Sequence, residues 1–368
     1  MKKILAVFGT RPDAIKMCPL VKAIAERKEL SLSICVSGQH RELLSQVLDV
    51  FGVSADYDLH VMEEGQTLED LTARILERIQ PVLSEVQPDL VLVHGDTTTA
   101  FAAALAAYYR KIPVGHVEAG LRTYDPFSPF PEEFNRRAVS TMASWHFAPT
   151  EEALANLVRE GIPADRIFVT GNTVVDALLA NVEKKRPSDF LPWAEEGRLI
   201  LLTVHRRENL GVPMTHIFRA VRRVAEEVKD VRVLYPVHPN PSVRELAEKE
   251  LAGCPCVRLV EPLDVVSFHQ LLSRSYMVLT DSGGIQEEAA VLGRPTLVLR
   301  DVTERPEGIS GGGLALVGTD EETLYKRCLS LLCDDDAYAA MREVNNPYGN
   351  GGASEAIAGH LSDVLANA

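Results

Sequence analysis

Short apolar runs alternate with longer segments of helical period along most of the sequence, and that alternation restricts the chain to parallel sheets covered by helices. In the first half the expected strands are Ile4 to Phe8, Leu32 to Val36, Leu90 to Val93, Val114 to Val117 and Ile167 to Thr170. Ala14 to Glu26, Arg41 to Phe51, Leu68 to Glu85 and Thr99 to Arg110 are the expected helices between them. The segment Glu183 to Gly197 is charged, carries Pro187 and Pro192 and breaks the alternation, so a linker falls near it. A second series follows, with expected strands Leu199 to Thr203, Arg232 to Val237, Val257 to Val260, Met277 to Thr280 and Thr296 to Leu299. The 368 residues, at about 150 per domain, fit two domains. Their expected extents are 1–175 and 176–352, two similar domains, each a parallel sheet with helices on both faces, facing across a cleft. Gly349 to Gly352 is a flexible break, and the last helix, Ala353 to Ala366 within 353–368, is expected to pack back on the first domain.

In such sheets ligands bind beyond the strand C-terminal ends. The formal charge is 38 minus 52, or -14, which gives no support to a nucleic-acid partner and repels anions at long range. A phosphate site must therefore gather its own cations. The six cysteines show no CxxC pair and no His at zinc spacing, and the opening MKKILAVF lacks a signal-type region, so reduced thiols in a cytoplasm are expected. No apolar run reaches the roughly 18 residues of a membrane span.

The stretch Asp281 to Glu288 (DSGGIQEE) joins the strand-like YMVLT to a helix-like run. Gly283 and Gly284 let a ligand reach the backbone, Ser282 adds a hydroxyl, and a helix N-terminus offers unpaired N–H groups, a setting suited to phosphate. Glu287 and Glu288 are read into the first helical turn, where a carboxylate either complements the dipole or accepts from a ribose diol.

Other strand ends carry charge as well. Gly9-Thr10-Arg11-Pro12 follows the first strand, with Asp13 as an expected N-cap and Lys16 close behind, so Arg11 and Lys16 either point to a ligand or are solvated cations. His94-Gly95-Asp96 and His116-Val117-Glu118 end two strands expected to be neighbours. Asp96 and Glu118 either cap helices, with Asp96 before three threonines, or do acid/base work, where close like charges leave one group protonated near neutrality. A loop stiffened by Pro126, Pro129 and Pro131, with Pro149 later, delivers Glu132 and Glu133. Glu132 is a third acid/base candidate or a first-turn residue of a helix over Glu133 to Ala143. His205-Arg206-Arg207 follows the Leu199 to Thr203 strand and suits a diphosphate, His238 ends the next strand, and Thr303-Glu304-Arg305 brings another cation. No HExxH, paired Asp cluster or Cys/His set offers a metal site, so no metal and no cofactor is expected.

Together GTRPDAIKMCPL, HGDTTTAFAAA, GHVEAGLRT, FPEEFNRR, VTGNTVVDAL, TVHRREN, YPVHPNP and DSGGIQEEAAVLGRPTLVLRDVTERPEG resemble the bacterial non-hydrolysing UDP-N-acetylglucosamine 2-epimerases, from Lys3 to about Gly308. The resemblance implies a GT-B-like α/β fold of two Rossmann-like, doubly wound parallel-sheet domains and interconversion of UDP-GlcNAc and UDP-ManNAc without nicotinamide or metal. By it, Asp96, Glu118, Glu132 and His205 match the catalytic group. Arg11, Lys16, Phe268, Ser282, Gly283, Gly284, Glu288 and Arg305 match nucleotide-holding positions, beside Arg206 and His238 from the strand-end reading. Leu263 stands where Gln is frequent. A GQHR-like segment linked in some members to a second, activating UDP-GlcNAc is kept at Gln39-His40-Arg41, but Gly65 replaces the Arg before Gln66-Thr67-Leu68. A homodimer is expected, with neither nucleic acid nor membrane as partner. A glycosyltransferase, a non-catalytic nucleotide-sugar sensor and a hydrolysing epimerase are the alternatives; the carboxylate group disfavours the first and has no task in the second.

Overall fold

A computed structural model of the chain describes residues 1–38, 41–63, 65–184, 190–303, 305–344 and 346–366, without the side chains of 41–43. Gln39, His40, the Arg41 side chain, the linker residues 185–189 and Glu304 lie outside the described residues. The chain divides into two compact units, one of Met1–Ala177 with Gly349–Ala368 and one of Leu178–Tyr348.

The first unit holds seven strands: β1 (Lys2–Phe8), β2 (Leu30–Val36), β3 (Tyr57–Asp58), β4 (Leu90–His94), β5 (Val114–Val117), β6 (Trp145–Ala148) and β7 (Ile167–Val169). All pairings are parallel, in the order β3-β2-β1-β4-β5-β6-β7. Residues Ile4 to Phe8 of β1 and all of β4 are buried, as continuous apolar runs require when helices cover both faces. Each fully buried Leu, Ile or Val contributes roughly 1.5–3 kcal/mol, so these central strands anchor the unit. The C-terminal helix Ala353–Ala366 packs on the helix Arg11–Ala25 and is tied down by an Arg27–Glu355 ion pair of 2.9 Å. Asp176 accepts the N–H groups of Gly352 and Ser354, both at 2.6 Å, and so satisfies donors at that helix's start.

The second unit holds β8 (Arg198–Thr203), β9 (Val231–Pro236), β10 (Val257–Val260), β11 (Met277–Thr280), β12 (Thr296–Val298) and β13 (Leu314–Leu316), parallel in the order β10-β9-β8-β11-β12-β13. Its core forms between the sheet and the helices Val212–Glu227 and Glu321–Cys333, around Phe218, Tyr235 and Leu324.

Three strands were not expected. β3 and β13, of two and three residues, are too short to show a period, and β6 (WHFA) carries a buried His146 that interrupts its apolar run. The six cysteines are free thiols. No helix among the described residues is long and apolar enough to cross a membrane.

Candidate functional site

Each sheet reverses its strand order once, and a strand end on each side of the reversal is where a ligand finds room in a doubly wound sheet. In the first unit the reversal separates β1 from β4; in the second it separates β8 from β11. Most of the charged strand ends singled out in the sequence follow these four strands and β5, while His238 follows β9 and Arg305 follows β12.

After β1 the chain passes Gly9, where a Cβ would lie 2.0 Å from Ser37 Oγ and 2.6 Å from Thr99 Oγ1, so only glycine allows the approach. Thr10, not Asp13, is the N-cap of the helix Arg11–Ala25. Asp13 sits at the third helical position and completes a capping box, its Oδ2 accepting the N–H of Thr10 at 3.2 Å. The other oxygen of Asp13 lies 3.6 Å from Nδ1 of His94, which ends β4, while Nε2 of His94 lies 3.6 Å from Oε2 of Glu118. Lys16 donates to that same Glu118 oxygen, and Asn172 Nδ2 donates to it at 3.1 Å. Glu118 has a φ of 60°, a left-handed backbone that costs a non-glycine residue energy and persists only where the surroundings hold it.

Burial alone would raise the Glu118 carboxyl, but Lys16 and His94 outweigh it and hold the group well below the usual carboxylate range. Burial likewise opposes a charged His94, yet Glu118 and Asp13 push its pKa up to about 9. The expected pairing of Asp96 with Glu118, in which repulsion leaves one acid protonated, is thus replaced at Glu118 by carboxylate–cation contacts. Asp96 takes its own cation, Arg136, and the N-cap of the helix Thr98–Tyr109 is Thr97 instead of Asp96. Arg136 also contacts Glu133 at 3.2 Å, and Glu133 accepts the N–H groups of Thr123 and Tyr124, both at 3.1 Å. Glu133 therefore pins the proline loop, and half-buried Glu132 opens the helix Glu132–Met142 at the end of that loop. Half-buried Arg11 is the first residue of its helix.

In the second unit the organiser is Asp281, fully buried just beyond β11. Its Oδ2 accepts the N–H groups of His205 at 3.0 Å and Arg206 at 2.9 Å and the amide of Asn209 at 3.0 Å, while Oδ1 lies 3.2 Å from His205 Nδ1. Burial raises this carboxyl, but the His205 ring and the two N–H donors bring it below its ordinary value. Arg206 Nε donates to the Asp281 carbonyl at 3.0 Å, Arg207 is exposed, and the exposed His238 ring stacks on His205 with centroids 5.4 Å apart. Burial and then His205 lower the pKa of His238. Asp281 and Asn209 went unassigned in the sequence reading, although an Asp between a strand end and Ser-Gly-Gly was their available signal.

Ser282 is the N-cap of the helix Gly283–Val291 and makes no side-chain cap bond. A Cβ on Gly283 would meet Arg305 Nη1 at 2.8 Å, whereas one on Gly284 would meet nothing within 4 Å. The Arg305 guanidinium thus lies beside the turn capped by Ser282, and the space over Gly284 is open, at a helix N-terminus of the kind that suits an anion. Glu287 and Glu288 lie in the second turn of this helix, not the first, because the helix starts at Gly283. Glu287 is buried against Arg305 at 2.7 Å, and Glu288 lies 3.6 Å from His269 Nε2. Half-buried Phe268 packs against the apolar cluster around Leu271 and Leu272, and Leu263 packs there too.

The profile of the family described as UDP-N-acetylglucosamine 2-epimerase matches residues 22–362. A UDP-N-acetylglucosamine 2-epimerase of Bacillus subtilis (strain 168) is 52% identical over 359 residues, spanning 98% of this chain and 94% of its own. The Salmonella typhimurium enzyme of the same name is 49% identical, spanning 95% of each chain. Among solved structures, the S. aureus MnaA complex with UDP superposes with a TM-score of 0.93 at 49% identity, covering 100% of this chain and 97% of that one. UDP-GlcNAc 2-epimerase from Neisseria meningitidis bound to UDP-GlcNAc gives 0.92 at 45% identity, covering 98% and 100%.

Proposed function

Since the chain belongs to the UDP-N-acetylglucosamine 2-epimerase family, we propose that it interconverts UDP-GlcNAc and UDP-ManNAc by eliminating UDP and adding it back. The observation that carries this reading is the ionised, buried Glu118 at a strand end, held by Lys16 and His94 on a left-handed backbone. Carbon 2 of an N-acetylhexosamine has no adjacent carbonyl, so its proton is not acidic enough for simple removal and return. Coupling solves this: a carboxylate takes the carbon-2 proton, the C–H electron pair forms the C1–C2 double bond, and the C1–O bond breaks to release UDP. The intermediate is a 2-acetamidoglucal. Re-addition of UDP, with a proton delivered to the opposite face, gives the epimer.

The division of labour follows from charge. Asp96, Glu118 and Glu132 act on the sugar as proton acceptors and donors. His205 and Arg206, with the Ser282-Gly283-Gly284 turn and Arg305, hold the diphosphate and stabilise it as it leaves, and Arg11, Lys16, His238, Phe268 and Glu288 complete the grip. Lys16 serves Glu118 as well. The proposal extends to a cytoplasmic homodimer that supplies ManNAc-type precursors for bacterial cell-surface polysaccharide, a compartment that suits six free thiols. Proton NMR of UDP-GlcNAc incubated with the purified protein tests the reading. The expected result is UDP-ManNAc at equilibrium with its epimer; free ManNAc with UDP would indicate the hydrolysing reaction, and an unchanged spectrum would overturn the assignment.

A further inference from the structure

The elimination scheme uses only one end of the buried array Asp13–His94–Glu118–Lys16. His94 is buried, and neither of its ring nitrogens has a hydrogen-bond partner, yet each faces a carboxylate oxygen at 3.6 Å. Asp13 is held by its other oxygen to the backbone of Gly9 and Thr10, so it cannot turn away. A neutral imidazole would aim one nitrogen lone pair at a carboxylate and leave two buried anions facing the single cation Lys16. A protonated ring donates toward both carboxylates and balances two negative charges with two positive ones.

The geometry points to His94 as a positioning residue: a buried imidazolium, anchored by Asp13, that fixes the Glu118 carboxylate in its left-handed turn and keeps it ionised for the proton chemistry at the sugar. This rests on the epimerase reading. The titratable groups facing His94 are Asp13 and Lys16 from the helix Arg11–Ala25, with His116 of β5 and Glu118 beyond that strand. His116 adds no charge, because burial first and His146 second hold its pKa well below the ordinary value. Its Nε2 lies 2.8 Å from the carbonyl of Gly95, which steadies the turn behind His94. The direction at His94 agrees, since the two carboxylates outweigh burial.

Two measurements test the assignment. In the full-length protein labelled with [13Cε1]histidine, the resonance missing from His94→Gln should remain protonated through about pH 8, and in Glu118→Gln it should titrate at least about one pH unit lower. A His94 resonance that titrates below about pH 7 in the wild type would overturn the proposal. In kinetics, His94→Gln should lower kcat about tenfold or more and leave KM within about threefold, and the acidic limb of kcat/KM should move up by about one pH unit as Glu118 loses a cation. Asp13→Asn should shift that limb the same way by less. A reduced rate with an unmoved pH profile would mean that His94 is merely structural. If the wild type fails to epimerise UDP-GlcNAc, the functional reading falls, while the histidine titration still decides the charge state of His94.

Discussion

Nδ1 of His205 lies 3.2 Å from Oδ1 of Asp281, and the other oxygen of that carboxylate accepts the backbone N–H groups of both His205 and Arg206. One buried side chain beyond β11 thereby shapes the turn beyond β8 and orients the ring at its head. Asp281→Ala would leave the N–H groups of His205 and Arg206 and the Asn209 amide without their acceptor, and a loss of roughly 2–4 kcal/mol is expected in urea unfolding, since stranding a buried donor costs about 1–3 kcal/mol. A loss under about 1 kcal/mol would show that the turn stands without its anchor.

The glycine turn allows a sharper separation of binding from folding. A methyl group on Gly284 meets nothing within 4 Å, and alanine is the better helix former, so Gly284→Ala should be at least as stable as the wild type. It should nevertheless weaken UDP by about tenfold or more in calorimetry, because the methyl group occupies the space through which a phosphate reaches the N–H donors. Gly283→Ala should lose both stability and affinity, since its Cβ would lie 2.8 Å from Arg305 Nη1. Unchanged UDP affinity in Gly284→Ala would remove the anion from this turn.

Much of this layout was legible beforehand, for physical reasons that also explain the gaps. β1, β4, β8 and β11 are central strands buried on both faces, so they appear as apolar runs, and the charged residues after them stand out; β5 (VGHV) is buried too but holds Gly115 and His116, so its signal is weaker. Helix starts were less legible. Thr10 and Thr97 cap helices where Asp13 and Asp96 were expected, because a carboxylate at the third helical position, as at Asp13, or just before the N-cap, as at Asp96, leaves a trace similar to one at the N-cap itself. The early start at Gly283 moved Glu287 and Glu288 into the second turn, where Glu287 instead meets Arg305 across the fold. His94 and Asp13 escaped as partners because only parallel pairing of β1 with β4 brings them together.

The same array makes stability depend on pH. The pKa of His94 rises from 6.5 to about 9, so its protonation stabilises the fold fully below pH 6.5, and this contribution disappears as pH climbs through about 9. Glu118 works in the opposite sense: its carboxyl is depressed in the fold, so its contribution is present above the ordinary value of 4.5 and vanishes as pH falls through the folded value. The rise at His94 corresponds to roughly 3 kcal/mol. Unfolding measured at about pH 6 and about pH 9.5 should show the wild type losing more stability than His94→Gln by an amount of that order. Parallel curves for the two proteins would mean that the ring holds no extra proton in the fold.

The last prediction concerns the intermediate itself. If carboxylates act on the sugar while the second unit's cations and glycine turn act on the diphosphate, replacing one carboxylate should unbalance the half-reactions without abolishing binding. Glu118→Gln, Glu132→Gln and Asp96→Asn should each lose about two or more orders of magnitude in epimerisation, as expected for removal of a general acid or base, while still binding UDP. At least one should slowly release 2-acetamidoglucal and UDP, because elimination needs one proton acceptor whereas re-addition needs a donor on the other face. In deuterium oxide the wild type should place deuterium at carbon 2 of the product, since the proton delivered comes from a different group, or from one that has exchanged with solvent. Mass spectrometry and proton NMR of the product read this directly. Retention of the original hydrogen at carbon 2 throughout turnover would sink the elimination scheme and require a route in which that C–H bond never breaks.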